Sequence, residues 1–153
     1  MTTWWEQRVE EVAKGERKII IQMATTSNSK PTDTNASTNT KLGEEWREEV
    51  IAGVVMLEMP FAETGPFRGV VQKLLVLPEF RGMGVARKLM VKLEEVAVQE
   101  GRGLLLLDTE KGSPAEIVYP RLGYIKVGEI PRYEISPLDG SLKDGVFFYK
   151  DMR

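Results

Sequence analysis

The stretch VQKLLVLPEFRGMGVARKLM, residues 71–90, joins an apolar run, a glycine-bearing turn and an amphipathic pattern. The run VQKLLVL has the length and composition of a strand, and Pro78 ends it. After Gly82 and Gly84, apolar residues recur at the spacing that keeps one face of a helix buried. A turn of this kind offers unpaired backbone N–H groups and the positive end of a helix dipole, so it suits a phosphate.

The two glycines have a second interpretation, because a short G-x-G pattern is also common in ordinary tight turns. The sequence excludes the usual nucleotide motifs. It has no G-x-x-x-x-G-K-[ST], and Arg87 stands where G-x-G-x-x-G needs its third glycine. What is left is R-x-x-G-x-A, from Arg81 to Ala86, directly after an apolar strand.

Composition indicates one globular domain and narrows the chemistry. The chain has 153 residues, 42% of them hydrophobic and 29% charged, with a net charge of −2. This balance gives no reason to expect a nucleic-acid partner. No apolar run is long enough for a membrane span and no signal-peptide core is present, so we expect a cytoplasmic protein without a membrane partner.

The residue types that are missing exclude several catalytic mechanisms. The sequence contains no Cys and no His. Thiolate nucleophiles, thiolate or histidine metal sites and Ser-His-Asp triads are therefore excluded, and we expect no metal cofactor. Any proton transfer must use Asp, Glu, Tyr, Lys or water.

Periodicity and turn residues predict one α/β domain over residues 1–153, with a flexible polar insertion at about 25–45. The predicted strands cover residues 18–24, 50–59, 68–77, 104–109, 124–128 and 146–149, and the predicted helices residues 3–14, 85–100 and 114–122. The first three strands form an antiparallel meander, and Gly53 marks a bulge. A capping box from Ser113 to Glu116 opens the last helix, and residues 129–145 form a loop.

Two acidic residues follow the apolar strand that begins at Leu104. Asp108 and Glu110 lie at its carboxyl end, where open α/β sheets place their ligands. Glu110 is expected to be a solvated strand end. Asp108 follows four leucines, so it is expected to be partly buried with a raised pKa, and it is equally compatible with a solvated strand end.

A second motif, A-x-x-x-Y-x-x-x-G-Y, runs from Ala115 to Tyr124. Together with R-x-x-G-x-A it resembles the GCN5-related N-acetyltransferase superfamily. In that superfamily the tyrosine often lies near the thioester sulfur and protonates the departing CoA thiolate, which would assign Tyr119 as general acid. Taken alone, Tyr119 is also compatible with an ordinary core aromatic.

The resemblance narrows over about residues 68–150, where the chain looks like the tabtoxin-resistance acetyltransferase branch of the superfamily. It implies a three-layer αβα sandwich, classed as α+β, with a mixed, mostly antiparallel sheet. It also implies Asp108 and Tyr119 as the catalytic pair, with Asp108 as base or acceptor anchor. Acetyl-CoA would be the cosubstrate, and a small toxin amine the acceptor. The implied acetyl-CoA contacts are Leu74, Leu75, Val76, Arg81, Gly82, Met83, Gly84, Val85, Ala86 and Arg87.

The N-terminal end departs from the superfamily pattern, because the first strand and helix that usually precede the helix at 3–14 are lacking. A sheet without its first strand has an open edge, which favours a homodimer. Two other functions stay open on the sequence. One is acetylation of protein or peptide amines, and the other is a truncated, non-catalytic acyl-CoA-binding module.

Overall fold

The structure is a computed structural model that describes residues 3–27 and 47–153. It contains three α-helices and six strands within these ranges. The helices are α1 (Trp4–Ala13), α2 (Val85–Gln99) and α3 (Pro114–Arg121), and the strands are β1 (Arg17–Ser27), β2 (Arg47–Glu58), β3 (Arg68–Val76), β4 (Leu104–Glu110), β5 (Ile125–Ile135) and β6 (Leu142–Asp151). The predicted insertion at about 25–45 begins inside β1, and its residues 28–46 lie outside the described ranges.

One mixed sheet contains all six strands, in the order β1-β2-β3-β4-β6-β5. Every neighbouring pair is antiparallel except β3 and β4, which are parallel. Helix α2 connects these two strands, as the apolar pattern of residues 85–100 predicted. The predicted mixed, mostly antiparallel sheet is therefore confirmed.

The helices lie on both faces of the sheet, which gives the predicted three layers. A Cβ added to Gly53 would contact Val85 and Leu89 of α2, so this face of β2 packs against that helix. The adjacent residues Val54 and Met56 face the opposite side, beside Trp4 and Trp5 of α1. The main core lies under α2 and α3 and includes Leu57, Leu89, Leu93, Leu105, Tyr119, Val146 and Phe148.

Gly53 allows the sheet and α2 to come close together. Its hypothetical Cβ would lie 2.8 Å from the carbonyl oxygen of Leu75 and 3.0 Å from a methyl of Leu89. The predicted bulge is also present, because the β1–β2 register shifts between Gln22 and Met23, opposite Gly53 and Ile51. A larger residue at position 53 would push α2 away from the strands.

Helix α1 is anchored to the opposite face by a buried arginine. Arg17 is 1% exposed. Its guanidinium donates to Glu11 of α1 and, at 2.8 Å, to the side-chain oxygen of Gln72 on β3. It also lies 3.6 Å from a carboxylate oxygen of Glu58 on β2. One cation therefore connects α1 to two strands, which offsets the cost of its burial.

Two local predictions were wrong. Residues 129–145 do not form a loop, because β5 and β6 continue as a hairpin to Ile135 and from Leu142. A bulge between Ile130 and Glu134 takes up Pro131 within this edge strand. The capping box at Ser113 is absent: its side chain makes no capping bond, and Glu116 accepts instead from the N–H of Gly112 at 2.8 Å.

Helix α1 also differs from its sequence prediction. Thr3 caps it, and the capping box with Glu6 is complete. The sequence also predicts an apolar stripe of Trp5, Val9, Val12 and Ala13 on this helix, but α1 contains no buried residue. Trp4, Trp5, Val9 and Val12 are all exposed.

Candidate active site

The parallel strands β3 and β4 separate and leave a gap in the sheet. They pair only from Arg68 to Val70, opposite Leu104 to Leu106. Beyond this point β3 continues to Val76 and β4 to Glu110 without pairing to each other. The gap therefore has polar backbone groups of β3 on one side, which are available to an amide-containing ligand.

A bulge in β3 lies at this gap. The register with β2 shifts between Val54 and Met56, opposite Leu75 and Gln72. Lys73, in the extra stretch, has a φ of 54°, which is uncommon for a residue other than glycine. The bulge changes the direction of β3 just before Leu74, Leu75 and Val76, the strand residues predicted to contact acetyl-CoA.

The predicted phosphate loop lies between the end of β3 and the start of α2. Gly82 and Gly84 both have a φ of 76°, and no atom lies within 4 Å of a Cβ added at either position. Gly84 is the N-cap of α2, with no side-chain capping bond. The first-turn N–H groups of Val85, Ala86 and Arg87 have no intrahelical acceptor, so they can bind phosphate oxygens in this open space.

Arg81, the first residue of the predicted phosphate loop, is bonded to the end of β3. Its Nε donates to the carbonyl oxygen of Val76 at 3.2 Å. The guanidinium therefore fastens the loop to this strand. Met83, at the tip of the same loop, is exposed.

Tyr119 lies on the core side of the sheet. It is 5% exposed, and its ring packs edge to face against Tyr124 at 5.7 Å and tilted against Phe148 at 5.8 Å. Burial, with a smaller effect from the charge of Asp108, raises the pKa of Tyr119 to about 12. The phenol is therefore protonated at neutral pH and can act as a proton donor.

Asp108 is exposed near the end of β4, where the strand pairs with β6 but not with β3. Glu110, two residues further on, is half-buried. The expected order of burial of these two residues is thus reversed. The pKa of Asp108 is nevertheless raised, as expected, because its surroundings partly desolvate the carboxyl group. The charge of Asp108 also contributes to the raised pKa of Tyr119, so the two predicted catalytic residues lie within electrostatic range of each other.

Sequence analysis did not predict two residues of this site, Glu134 and Lys73. Glu134 is half-buried on β5, and one of its carboxylate oxygens is buried without a hydrogen-bond partner. Burial and the charges of Asp108 and Glu110 raise the pKa of Glu134, while Lys73 opposes this shift. Neither Glu134 nor Lys73 lies in a motif. Only the pairing of β5 with β6, within the predicted loop, could have shown where Glu134 lies.

Within the part of the chain that the structure describes, no cluster of three or more His, Cys, Asp or Glu is placed to hold a metal ion. In the same residues, no helix is both long enough and apolar enough to span a membrane.

The unpaired edge of β3 and the open glycine loop fit an elongated ligand with amide groups and a phosphate, which is the chemistry of acyl-CoA.

A separated pair of parallel strands, a glycine loop at a helix N-terminus and a tyrosine on the next helix define the acyl-CoA N-acyltransferase fold. The chain belongs to the acetyltransferase (GNAT) family, whose sequence model matches residues 7–124. The predicted superfamily is therefore confirmed, and with it the prediction of an N-acetyltransferase at the level of the family.

Three relatives describe the range of similarity. N-alpha-acetyltransferase 30 of Schizosaccharomyces pombe is 28% identical over 88 residues, which are 57% of this chain and 59% of that protein. Ribosomal-protein-alanine N-acetyltransferase from Brucella melitensis has a TM-score of 0.66 at 17% identity, covering 96% of this chain and 76% of that one. The structure of yncA from Salmonella typhimurium with its cofactor acetyl-CoA has a TM-score of 0.60 at 20% identity, covering 68% and 60%.

The similarities to the two solved structures support the fold. The sequence match covers less than two thirds of the length of the yeast relative. The three relatives named above do not point to the tabtoxin-resistance branch in particular, which stays a prediction. The individual roles of the site residues stay predictions.

Proposed function

We propose that the protein transfers the acetyl group of acetyl-CoA directly to a primary amine of a small molecule. The observation that carries this proposal is the gap between β3 and β4, which opens beside the loop of Gly82 and Gly84 and has Asp108, whose charge acts on Tyr119, on its β4 side. Family membership supports acetyl-CoA as the cosubstrate, as does the acetyl-CoA bound to yncA.

Each part of the cosubstrate has a matching group in the chain. The edge of β3 that faces the gap at Leu74, Leu75 and Val76, where β4 does not pair, suits the amides of the pantetheine arm. The loop from Arg81 to Arg87 suits the pyrophosphate, through backbone N–H groups at the start of α2. Bound acetyl-CoA would supply a thioester that an amine can cleave.

The titratable residues have complementary roles in this reaction. Asp108 accepts a proton from the acceptor ammonium or holds it by charge, as its position at the gap allows. As the N–C bond forms and the C–S bond breaks, Tyr119 donates its phenolic proton to the leaving sulfur. The reaction needs no covalent enzyme intermediate and no metal ion.

The acidic end of the site supports an amine as acceptor. Asp108, Glu110 and Glu134 interact electrostatically there, as the raised pKa of Glu134 indicates. Negative charges at this point attract an ammonium group and disfavour anionic acceptors. A toxin or antibiotic as the acceptor, and hence a role in detoxification, rests on the resemblance to the tabtoxin-resistance branch alone.

A second candidate function is acetylation of protein or peptide N-termini. The names of the yeast and Brucella relatives favour it. Location in the cytoplasm, the absence of nucleic-acid and membrane partners, and a homodimer are further parts of the proposal. The open side of β1, whose only neighbour within the described sheet is β2, is compatible with a second copy of the chain.

The experiment that tests the function is calorimetric titration of the 153-residue chain with acetyl-CoA, with desulfo-CoA and ATP as controls. Micromolar binding of acetyl-CoA but not ATP, followed by amine-dependent release of free thiol, would support the proposal. A folded chain that does not bind acetyl-CoA would contradict it. Binding without transfer to small amines or peptides would instead favour a non-catalytic acyl-CoA-binding module.

A further inference from the structure

 

An apolar groove adjoins the gap on the face of the sheet that carries α1. The volume of the groove is about 260 Å³, below the range of about 300–1,000 Å³ that is usual for drug-sized ligands. The groove is lined by Trp4, Trp5, Val54, Met56, Lys73 and Leu75. Its size therefore suits one ring or one branched aliphatic group.

Two tryptophans form one wall of this groove. The rings of Trp4 and Trp5 meet edge to face at 4.8 Å, and the residues are 41% and 60% exposed. Two tryptophan side chains this exposed leave a large apolar area in water, and an apolar group that covers them gains free energy by removing that area from water.

The wall is held in place before any ligand binds. The Arg8 guanidinium lies 5.0 Å from the centre of the Trp4 ring, and the Lys73 ammonium lies 5.8 Å from it. The capping box of Thr3 and Glu6 fixes the start of α1. The buried Arg17 anchors the same helix to the sheet through Glu11. A pre-formed wall lowers the entropic cost of binding.

The groove is continuous with the proposed reaction site. Leu75 lines it and is also one of the strand residues predicted to contact acetyl-CoA. Lys73 lines it as well, and the charge of Lys73 acts on Glu134 at the acidic end. An acceptor with its amine at the acidic end can therefore extend its remaining atoms towards Trp4 and Trp5.

We propose that this groove binds the aromatic or branched apolar group of a small primary amine, and that Trp4 and Trp5 determine this specificity. The inference rests on the proposed function, because the same amine is the acetyl acceptor. Its nitrogen bonds to the acetyl carbon as the C–S bond breaks. Before this step the acceptor ammonium gives one proton to Asp108. The sulfur then receives the Tyr119 proton, and the second proton lost by nitrogen returns to the Tyr119 phenolate.

The test compares two amines of similar basicity, 2-phenylethylamine and 2-methoxyethylamine, in a free-thiol assay with the full chain at saturating acetyl-CoA. We expect kcat/KM for the aromatic amine to be about tenfold higher, which corresponds to about 1.4 kcal/mol. Trp4→Ala and Trp5→Ala should each reduce this preference and leave acetyl-CoA affinity unchanged. Val98→Ala, an exposed apolar residue of α2, is the matched control and should keep the preference.

Equal kcat/KM for the two amines in the wild-type chain would overturn the inference and leave the proposed function intact. The same conclusion would follow if both tryptophan variants, shown to be folded by thermal unfolding, kept the full preference. Transfer to the N-terminus of a Phe-Gly-Gly peptide but to neither amine would overturn the small-molecule assignment. A chain that binds no acetyl-CoA would refute the proposed function itself.

Discussion

Lys150 of β6 binds Glu94 of α2, with Nζ 2.8 Å from Oε2. The same Nζ donates to the carbonyl oxygen of Leu122, also at 2.8 Å. Leu122 is the C-cap of α3, so a single ammonium connects the sheet, α2 and the end of the helix that carries Tyr119. The ammonium also lies 5.5 Å from the ring of Tyr124, which packs against Tyr119.

We expect Lys150→Met to destabilise the protein by about 1–3 kcal/mol, because Glu94 and the Leu122 carbonyl lose a charged donor in a partly buried position. Urea unfolding measures this change. The control is Lys92→Met, whose pair with Glu95 is well exposed at 59% and 54%, so its effect should stay below about 1 kcal/mol. Equal effects of the two substitutions would show that Lys150 does not connect these elements.

Tyr119→Phe should lower kcat by about 10²-fold or more, the usual contribution of a positioned proton donor. The phenyl ring can keep its packing against Tyr124 and Phe148, so stability and acetyl-CoA affinity should change little. Thiol release and calorimetry measure the two quantities separately. Tyr149→Phe on β6 serves as the control and should keep its activity. A parallel loss of turnover and cofactor affinity would argue against the acid role.

The pH dependence of activity should show whether Asp108 takes part in the reaction. Its carboxyl must be ionised to accept a proton or hold an ammonium, and partial burial raises its pKa above 3.8. Activity should therefore fall as the pH decreases through this raised pKa, at a higher pH than an ordinary aspartate would give. Asp108→Asn should lower kcat/KM and remove this acidic limb, whereas Asp151→Asn should leave the limb unchanged.

The same shift predicts the sign of the effect on stability. The folded state binds the Asp108 proton more tightly than the unfolded state, so the ionised carboxylate costs stability above its folded pKa. This cost disappears as the pH falls through that pKa. At neutral pH, Asp108→Asn should consequently leave the protein at least as stable as the wild type. Marked destabilisation, followed by thermal unfolding, would indicate a structural role instead.

The two ends of α2 offer a matched pair of glycines. Gly84 and Gly101 have φ values of 76° and 73°, and neither has an atom within 4 Å of an added Cβ. Gly84→Glu and Gly101→Glu therefore carry a similar backbone strain of about 1–2 kcal/mol. Calorimetry should show at least a tenfold loss of acetyl-CoA affinity for Gly84→Glu alone, because only this carboxylate opposes the pyrophosphate. Equal affinities would exclude the loop as the phosphate site.

The sequence predicted the centre of the fold better than its margins. The unit from Arg68 to Glu110 follows from local signals: an apolar run, a glycine turn, a helical spacing and a second apolar run. The β5–β6 hairpin could not be predicted, because Pro131 and Gly140 resemble loop residues and the bulge that accommodates Pro131 exists only when β6 is paired. The exposed tryptophans of α1 show the same limit, since an amphipathic pattern does not reveal what covers it.

The candidate site could also be predicted only in part. Sequence analysis could propose Asp108 and Tyr119 from local patterns, and in the structure the charge of Asp108 acts on the pKa of Tyr119. Glu134 approaches them through long-range strand pairing, which no local pattern records. The difference in burial between Asp108 and Glu110 depends on the separation of β3 from β4, which is also a tertiary feature.

The unpaired edge of β3 also makes the stability of the protein depend on whether a ligand occupies the gap. Beyond Val70, β3 has no β4 partner, so a ligand in the gap would take the place of a strand. The gap exists only in the folded state, and the ligand would therefore bind only the folded protein. By mass action, a ligand at 100 times its Kd raises the free energy of unfolding by about 2.7 kcal/mol. If acetyl-CoA binds as proposed, it takes the place of a strand in the gap, and the sheet is complete only when the cosubstrate is bound.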